Sequence, residues 1–241
     1  MVVFSRTALN HTGAENAAGR KIDPLRSEID MLGTRVSDRR PSGAEPYDRF
    51  KRAFDICIAS VALVLLLPLI VVAAIVIKAE SSGPVFFTQE RIGLNRRRGD
   101  RRRSGSSHGG PDRRKSRDRR KNLHAGKPFS IYKFRTMSAD AEKSGPALAH
   151  RGDPRITRIG GIMRRTRIDE IPQFINVIKG DMSIIGPRPE RSFFINKIRS
   201  ELPEFPLRLN VKPGITGLAQ VESGYTETLD KMKDKLYYDL K

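Results

Sequence analysis

The feature that most constrains this chain is the run from Ile56 to Ile77, ICIASVALVLLLPLIVVAAIVI, 22 residues without a charge. As a helix rising about 1.5 Å per residue it would reach roughly 33 Å, enough to cross the hydrocarbon core of a bilayer. A soluble core seldom buries so long and pure an apolar helix, so membrane association is expected. Pro68 lies near the middle. It deletes one backbone hydrogen bond and its ring crowds the carbonyl of Val64, so the sequence predicts a bend there. Arg49, Lys51 and Arg52 precede the run, and Lys78 and Arg91 follow it. Neither side carries the clear basic excess that orients a spanning helix. That balance favours a re-entrant hairpin with both ends on the cytoplasmic face over a kinked spanning helix.

Charge is the second constraint. The 241 residues include 46 Lys and Arg against 27 Asp and Glu, a formal net charge of +19, which points to a polyanionic partner: nucleic acid, an anionic membrane face or phosphorylated substrates. Much of it is concentrated in Arg96 to Ala125, where 13 basic and 3 acidic residues fall among almost no apolar ones. Such a stretch cannot build a core, and it reads as a disordered insertion at the tip of a hairpin. A single cysteine, Cys57, excludes a disulfide framework, and no Cys/His cluster suggests zinc. With no Trp and 7% aromatics, a stacking platform for single-stranded nucleic acid is poorly supplied.

The sequence divides into residues 1–46, read as a disordered tail; residues 47–83, a re-entrant membrane helix; and residues 84–241, a small cytoplasmic domain interrupted by the insertion 96–125. No apolar stretch follows Met1 as a signal peptide would require. Two short runs, Pro84 to Thr88 and Phe129 to Phe134, read as β-strands. Ile171, Phe174, Ile175 and Ile178 fall on one helical face, with Asp169 as N-cap and Gly180 as terminator. Phe193 to Ile195 with Ile198 and Leu202 reads either as an interfacial amphipathic element or as an ordinary core face. Lys212-Pro213-Gly214 reads as a type II turn leading into a strand. The fold class is thus α+β: mostly helical, with a re-entrant membrane helix and a β-hairpin in the cytoplasmic part.

Several residues are candidates for chemistry. Asp169 and Glu170 are adjacent carboxylates, either a solvated pair or groups kept ionised by a helix N-terminus and by Arg164, Arg165 and Arg167. In the latter case Asp169 suits a nucleophile or a Mg²⁺ ligand. Arg188 sits between Pro187 and Pro189, either in a plain surface turn or on a stiff loop presenting its guanidinium to phosphate. Lys133 and Arg135 alternate on one strand face, solvated or forming a small substrate-binding edge for an anion.

These pieces, in this order, resemble the bacterial sugar transferase family, the monotopic polyprenyl-phosphate hexose-1-phosphate transferases. The stretches that carry the resemblance are the apolar segment with Pro68, FFTQERIG, GKPFSIYKFRTM, DPRITRIGGIMRRTRIDEIPQFINVIKGDMSIIGPRPE and VKPGITGLAQV. The resemblance implies an enzyme of the bacterial inner membrane that moves a sugar 1-phosphate from a UDP-sugar to polyprenyl phosphate, releases UMP, and initiates exopolysaccharide or glycan synthesis. It implies Asp169 as the nucleophile forming a phosphosugar-enzyme intermediate, Glu170 as its dyad partner, Arg164 and Arg188 as phosphate- or nucleotide-binding positions, and Mg²⁺ at Asp169. Partners implied are the UDP-sugar, polyprenyl phosphate and anionic lipids, with no specific nucleic acid. Leu67 stands where several members carry Ser before the proline, the insertion lies outside the common core, and a further apolar stretch is expected after Lys241. The alternative from another class is a membrane-tethered polyanion-binding protein using the Arg-rich insertion.

Overall fold

A computed structural model describes residues 24–38, 46–95, 126–138, 140–141, 152–222 and 229–241. The insertion 96–125 lies outside the described residues. The elements are helices α1 (Pro24–Asp38), α2 (Pro46–Leu65) and α3 (Leu67–Glu80), strands β1 (Phe86–Ile92) and β2 (Pro128–Phe134), and helices α4 (Arg158–Thr166) and α5 (Gln173–Lys179). There follow β3 (Ser183–Ile185), α6 (Ser192–Arg199), β4 (Gly214–Thr216), α7 (Leu218–Glu222) and α8 (Leu229–Leu240). Helices dominate, and the strands form two two-stranded sheets.

The apolar run is broken into two helices bent by 59°. Leu66 is the hinge: its amide donates to Ala62 O and its carbonyl accepts from Ile70 N, both at 2.9 Å, while its φ of −89° and ψ of 1° leave the helical region. Pro68 then falls in the first turn of α3, where a missing amide costs nothing. No single described helix is long and apolar enough to cross a membrane, but the bent pair passes that test together. Val64 and Leu65 before the hinge and Leu67 after it are exposed, at 71%, 72% and 56%, so the apex presents bare apolar side chains.

Both arms of the pair are tied to the rest of the protein by charged groups. On α2, Arg52 donates to the carbonyls of Val177 and Ile178, the last turn of α5. Asp55, only 3% exposed, accepts from Ile184 N at 3.1 Å, and Lys51 bonds Ser183. At the far end, Arg135 donates to Ser81 O, Ser82 O and Ser81 Oγ at 2.7–2.9 Å. That fork satisfies carbonyls left without partners where α3 ends. Packing follows the same joints: Ala59 of α2 sits with Phe129, Ile131, Val177 and Met182, and Ala73 and Ile77 of α3 with Phe134, Met163 and Ile171.

β1 and β2 pair antiparallel in register Phe86↔Phe134 to Ile92↔Pro128. The strand expected over Pro84 to Thr88 therefore continues through the polar Gln89, Glu90 and Arg91, because cross-strand pairing outweighs local propensity. Gly93 N to Lys127 O and Lys127 N to Leu94 O extend the hairpin toward the two ends of the insertion. β3 and β4 pair in parallel. Gly214 is not the left-handed corner of a type II turn: it opens β4, and a Cβ there would stand 2.1 Å from Gly186 N. Glycine is needed for close approach, not for backbone freedom.

The tail expected to be disordered over 1–46 contains α1. Leu25, Ile29 and Leu32 form one face, spaced at a helix turn, and join Ile92, Ile195, Leu202, Phe205, Leu209, Leu236 and Leu240 in a single apolar cluster. Ile195 and Leu202 are thus core, which settles α6 as a packed helix, although Phe193 remains 53% exposed. Because Ile29 is 1% exposed, Ile29→Ala is expected to cost about 2–4 kcal/mol and to lower the melting temperature, measurable by thermal denaturation in detergent.

Candidate active site

β2 supplies the first cation. Strand alternation places Lys133 on the face of Phe129 and Ile131, an apolar face, so its ammonium needs a buried partner. α5 is held beside it by Asn176, fully buried, whose amide donates to Ser130 O at 2.7 Å and accepts from Tyr132 N at 3.0 Å. The Asn176 side chain thereby takes the place of a neighbouring strand on the outer edge of β2.

The carboxylates come from the turn between α4 and α5. Thr157 caps α4 by accepting from Gly160 N at 2.9 Å, and Gly160 lies so close to Thr136 O that a Cβ would stand 2.1 Å from it. Arg167 ends α4 at φ 60°, the one positive-φ residue other than glycine among the described residues. That costly conformation swings the chain into a single 3₁₀ turn, Ile168–Glu170, and points both acidic side chains inward. Asp169 and Glu170 are 6% and 7% exposed. α5 begins only at Gln173 and ends, as expected, at Gly180 with φ 89°. Asp169 is therefore not its N-cap.

Glu170 Oε1 gathers three cations: Arg188 Nη2 at 2.7 Å, Lys133 Nζ at 3.1 Å and Arg167 Nη1 at 3.7 Å. Burial alone would raise its pKa, but Lys133 and Arg188 prevail and bring it down to about 2. Arg188 also donates to Gln220 Oε1 at 3.0 Å. Asp169 behaves oppositely. Burial pushes its pKa above the ordinary aspartate value, Glu170 adds to the rise, and Lys133, Arg164 and Arg188 only partly offset it. Its Oδ1 is buried without a hydrogen-bond partner. Desolvation thus opposes the ionised form expected from a helix N-terminus and nearby arginines, and the dipole of a one-turn element does not balance it. Lys133 is lowered by burial and by Arg188, against the pull of Glu170 and Asp169.

Of the residues singled out in the sequence, Asp169, Glu170, Lys133 and Arg188 come together, and Arg164, in the last turn of α4, is near enough for its charge to act on Asp169. Arg135 does not join them. β2 ends at Phe134, and the Arg135 side chain turns to the end of α3. Sequence reasoning missed Gln220 and Asn176. Asn176 carried a faint signal, as a polar residue one turn from Gln173 on the side of α5 that faces inward. Among the described residues no group of three or more Asp, Glu, His or Cys could cage a metal ion. The unpartnered Oδ1 of Asp169 nevertheless fits Mg²⁺, which is commonly held by one or two carboxylates together with substrate phosphates.

The two carboxylates should respond oppositely to neutralisation. Glu170, depressed from 4.5 to about 2, stabilises the fold fully above pH 4.5 and loses that contribution as pH falls toward 2. Glu170→Gln is expected to cost on the order of 2 kcal/mol at neutral pH, because it takes the carboxylate away from two half-buried cations. Asp169, raised, opposes folding when ionised, so Asp169→Asn should raise the melting temperature at pH 7. Thermal denaturation of both variants across pH checks both signs.

The model of the bacterial sugar transferase family matches residues 46–100 and 116–241. A UDP-N-acetylgalactosamine-undecaprenyl-phosphate N-acetylgalactosaminephosphotransferase of Aeromonas hydrophila is 40% identical over 193 residues, 80% of this chain and 38% of the relative. A UDP-glucose:undecaprenyl-phosphate glucose-1-phosphate transferase of Caulobacter vibrioides is 36% identical over 212 residues, 86% of this chain and 68% of the relative. One of the same name from Escherichia coli K12 is 37% identical over 192 residues, 79% of this chain and 35% of the relative. The chain thus spans little more than a third of the length of the Aeromonas and Escherichia relatives. The matched residues hold the bent helix pair, the hairpin and the Asp169–Glu170 turn, and the chain belongs to the bacterial sugar transferase family.

Proposed function

We propose that this protein transfers a sugar 1-phosphate from a UDP-sugar to undecaprenyl phosphate at the cytoplasmic face of a bacterial inner membrane. The observation that carries the reading is Asp169 itself: a buried carboxylate with an unpartnered oxygen, bordered by Lys133, Arg164 and Arg188. Asp169 Oδ1 attacks the β-phosphorus of the UDP-sugar; the bond from that phosphorus to the bridging oxygen breaks, and UMP leaves with the oxygen. An oxygen of undecaprenyl phosphate then attacks the same phosphorus, releasing the aspartate and forming the lipid diphosphosugar. Two phosphoryl transfers need charge neutralisation more than acid–base chemistry, and Lys133 and Arg188 provide fixed positive charge at the site. Glu170 holds both cations in place. A bound Mg²⁺, held at Asp169, would neutralise charge on the diphosphate.

The membrane placement rests on the exposed apolar apex of the α2–α3 pair and on the basic residues Arg49, Arg52 and Lys78 at its two ends. Those ends are joined to the site through Arg52 and Arg135, which would set Asp169 at headgroup level, where a soluble donor and a lipid acceptor meet. Cysteine substitutions at Ser42 and Ser82 should label from the same side of sealed vesicles. Labelling from opposite sides would overturn re-entry.

Detergent-solubilised protein with Mg²⁺, undecaprenyl phosphate and a panel of UDP-sugars is expected to release UMP with at least one donor. Asp169→Asn should reduce release by about a thousandfold or more. No release from any donor, or full activity of Asp169→Asn, would remove the transferase reading. The rate should fall on the acid side at a pH above the ordinary aspartate range, as Asp169 protonates. It should also fall on the alkaline side below the ordinary lysine range, as Lys133 loses its proton.

A further inference from the structure

A second charged cluster lies behind Arg188 and takes no part in the chemistry described above. Burial alone would raise the Glu190 carboxyl, but Lys235 and Arg208, with Arg91 contributing, prevail and hold its pKa at about 2. Lys235 Nζ stands 2.7 Å from Glu190 Oε1, Arg208 Nη1 3.7 Å from the same oxygen, and Arg91 Nη1 3.8 Å from Oε2. Arg208 Nη2 lies 2.7 Å from Asp239 Oδ2, in an ion pair whose two side chains are each 2% exposed. Lys235 and Asp239 both belong to α8, four residues apart on one face, the same helix whose Leu236 and Leu240 sit in the apolar cluster with α1.

What links this cluster to the site is the backbone of Pro187–Glu190. Every carbonyl in that loop accepts a hydrogen bond: Pro187 O from Gly214 N at 2.9 Å, Arg188 O from Arg208 Nη2 at 2.9 Å, Pro189 O from Arg91 Nη1 at 3.2 Å, and Glu190 O from Ile92 N at 3.0 Å. The two prolines donate nothing in return. The carbonyl of Arg188 is thus fixed by a guanidinium that is itself held by Glu190 and Asp239, while the Arg188 side chain reaches Glu170 and Gln220. Burying five charges this far from the carboxylate dyad is costly unless their arrangement has a use, since apolar packing would stabilise the fold as well.

We infer that Arg208, locked by Asp239 and Glu190, is a positioning residue that sets where the Arg188 guanidinium stands, so that α8 controls the grip on the donor's diphosphate. The inference rests on the transferase reading for its kinetic consequence, but not for its structural one. Arg208→Lys keeps the charge and loses the Nη2 that lies between the Arg188 carbonyl and Asp239. Asp239→Asn removes one anchor of Arg208. Both are expected to lower kcat/KM for the accepted UDP-sugar about tenfold. The double variant Arg188→Lys/Arg208→Lys should be no worse in kcat/KM than Arg188→Lys alone, because both substitutions remove one grip. Losses that multiply would overturn the inference.

Hydrogen–deuterium exchange at the amides of Gly214 and Ile92, which donate to Pro187 O and Glu190 O, supplies a readout independent of turnover. Asp239→Asn should speed exchange at these two amides while leaving segment 171–180 unchanged; unchanged exchange at both overturns the inference. If Arg208→Lys does not fold, Asp239→Asn carries both measurements. If the wild type releases no UMP from any donor, the transferase reading falls, and exchange alone decides whether α8 holds the loop.

Discussion

A carboxylate removed from water stays ionised only if cations come to it, and Glu170 brings three segments of this chain to one point. Lys133 arrives on β2, Arg188 on a proline-bounded loop after β3, and Arg167 from the end of α4. The contacts of Lys133 and Arg188 close separations of 37 and 18 residues, so the hairpin, the α4–α5 turn and the glycine-bound sheet of β3 and β4 must all be in place before the charge is neutralised. The same arrangement leaves Asp169 one residue away among cations already engaged elsewhere. Its own oxygen is left without a partner, and its ionisation is opposed by burial. The stability of one carboxylate is thus coupled to the reactivity of the other.

The parts legible in the sequence were those governed by short-range chemistry. Pro68 predicts the hinge because a missing amide and a crowded carbonyl act within one helical turn. Gly180 predicts the end of α5 because it takes φ 89°. The Asp169–Glu170 pair and Arg188 stand out because neighbouring prolines and arginines give them an unusual setting. What escaped depended on partners far along the chain. Among the described side chains of α1, Leu25, Ile29 and Leu32 line the buried face, which acquires meaning against Phe205, Leu209 and Leu236. Arg135 alternates with Lys133 as a strand neighbour should, but the bare carbonyls at the end of α3 capture it. Gly214 reads as a turn because it follows a proline, and the approach of Gly186 that actually requires it cannot be read from spacing. The burial of Asp169 escaped for the same reason: a helix end is visible in sequence, and depth of burial is not.

The overall charge of +19 proves a poor guide to the chemistry. The cations that matter are few, and they divide between two buried carboxylates, Glu170 and Glu190, each held at a pKa of about 2. Between these two anions runs the Pro187–Glu190 loop, and Arg188 is its only side chain that faces Glu170. Charged anchors also join the bent helix pair to the same body, through Arg52 at one end and Arg135 at the other. Seating the apolar apex and orienting the dyad are therefore not separate problems for this fold.

The proline-bounded loop also limits how an anion can be recognised beside it. Phosphate-binding loops built on glycine or on helix ends offer rows of amide protons, so recognition belongs to the main chain and is hard to alter one residue at a time. Here two of four residues lack an amide proton and all four carbonyls are spent inward. On the proposed transferase reading, discrimination among donors would then fall to side chains such as Arg188 and Gln220, on a backbone that stays unchanged when they are exchanged. A scaffold of that kind would let preference for one sugar nucleotide drift by single substitutions without rebuilding the fold.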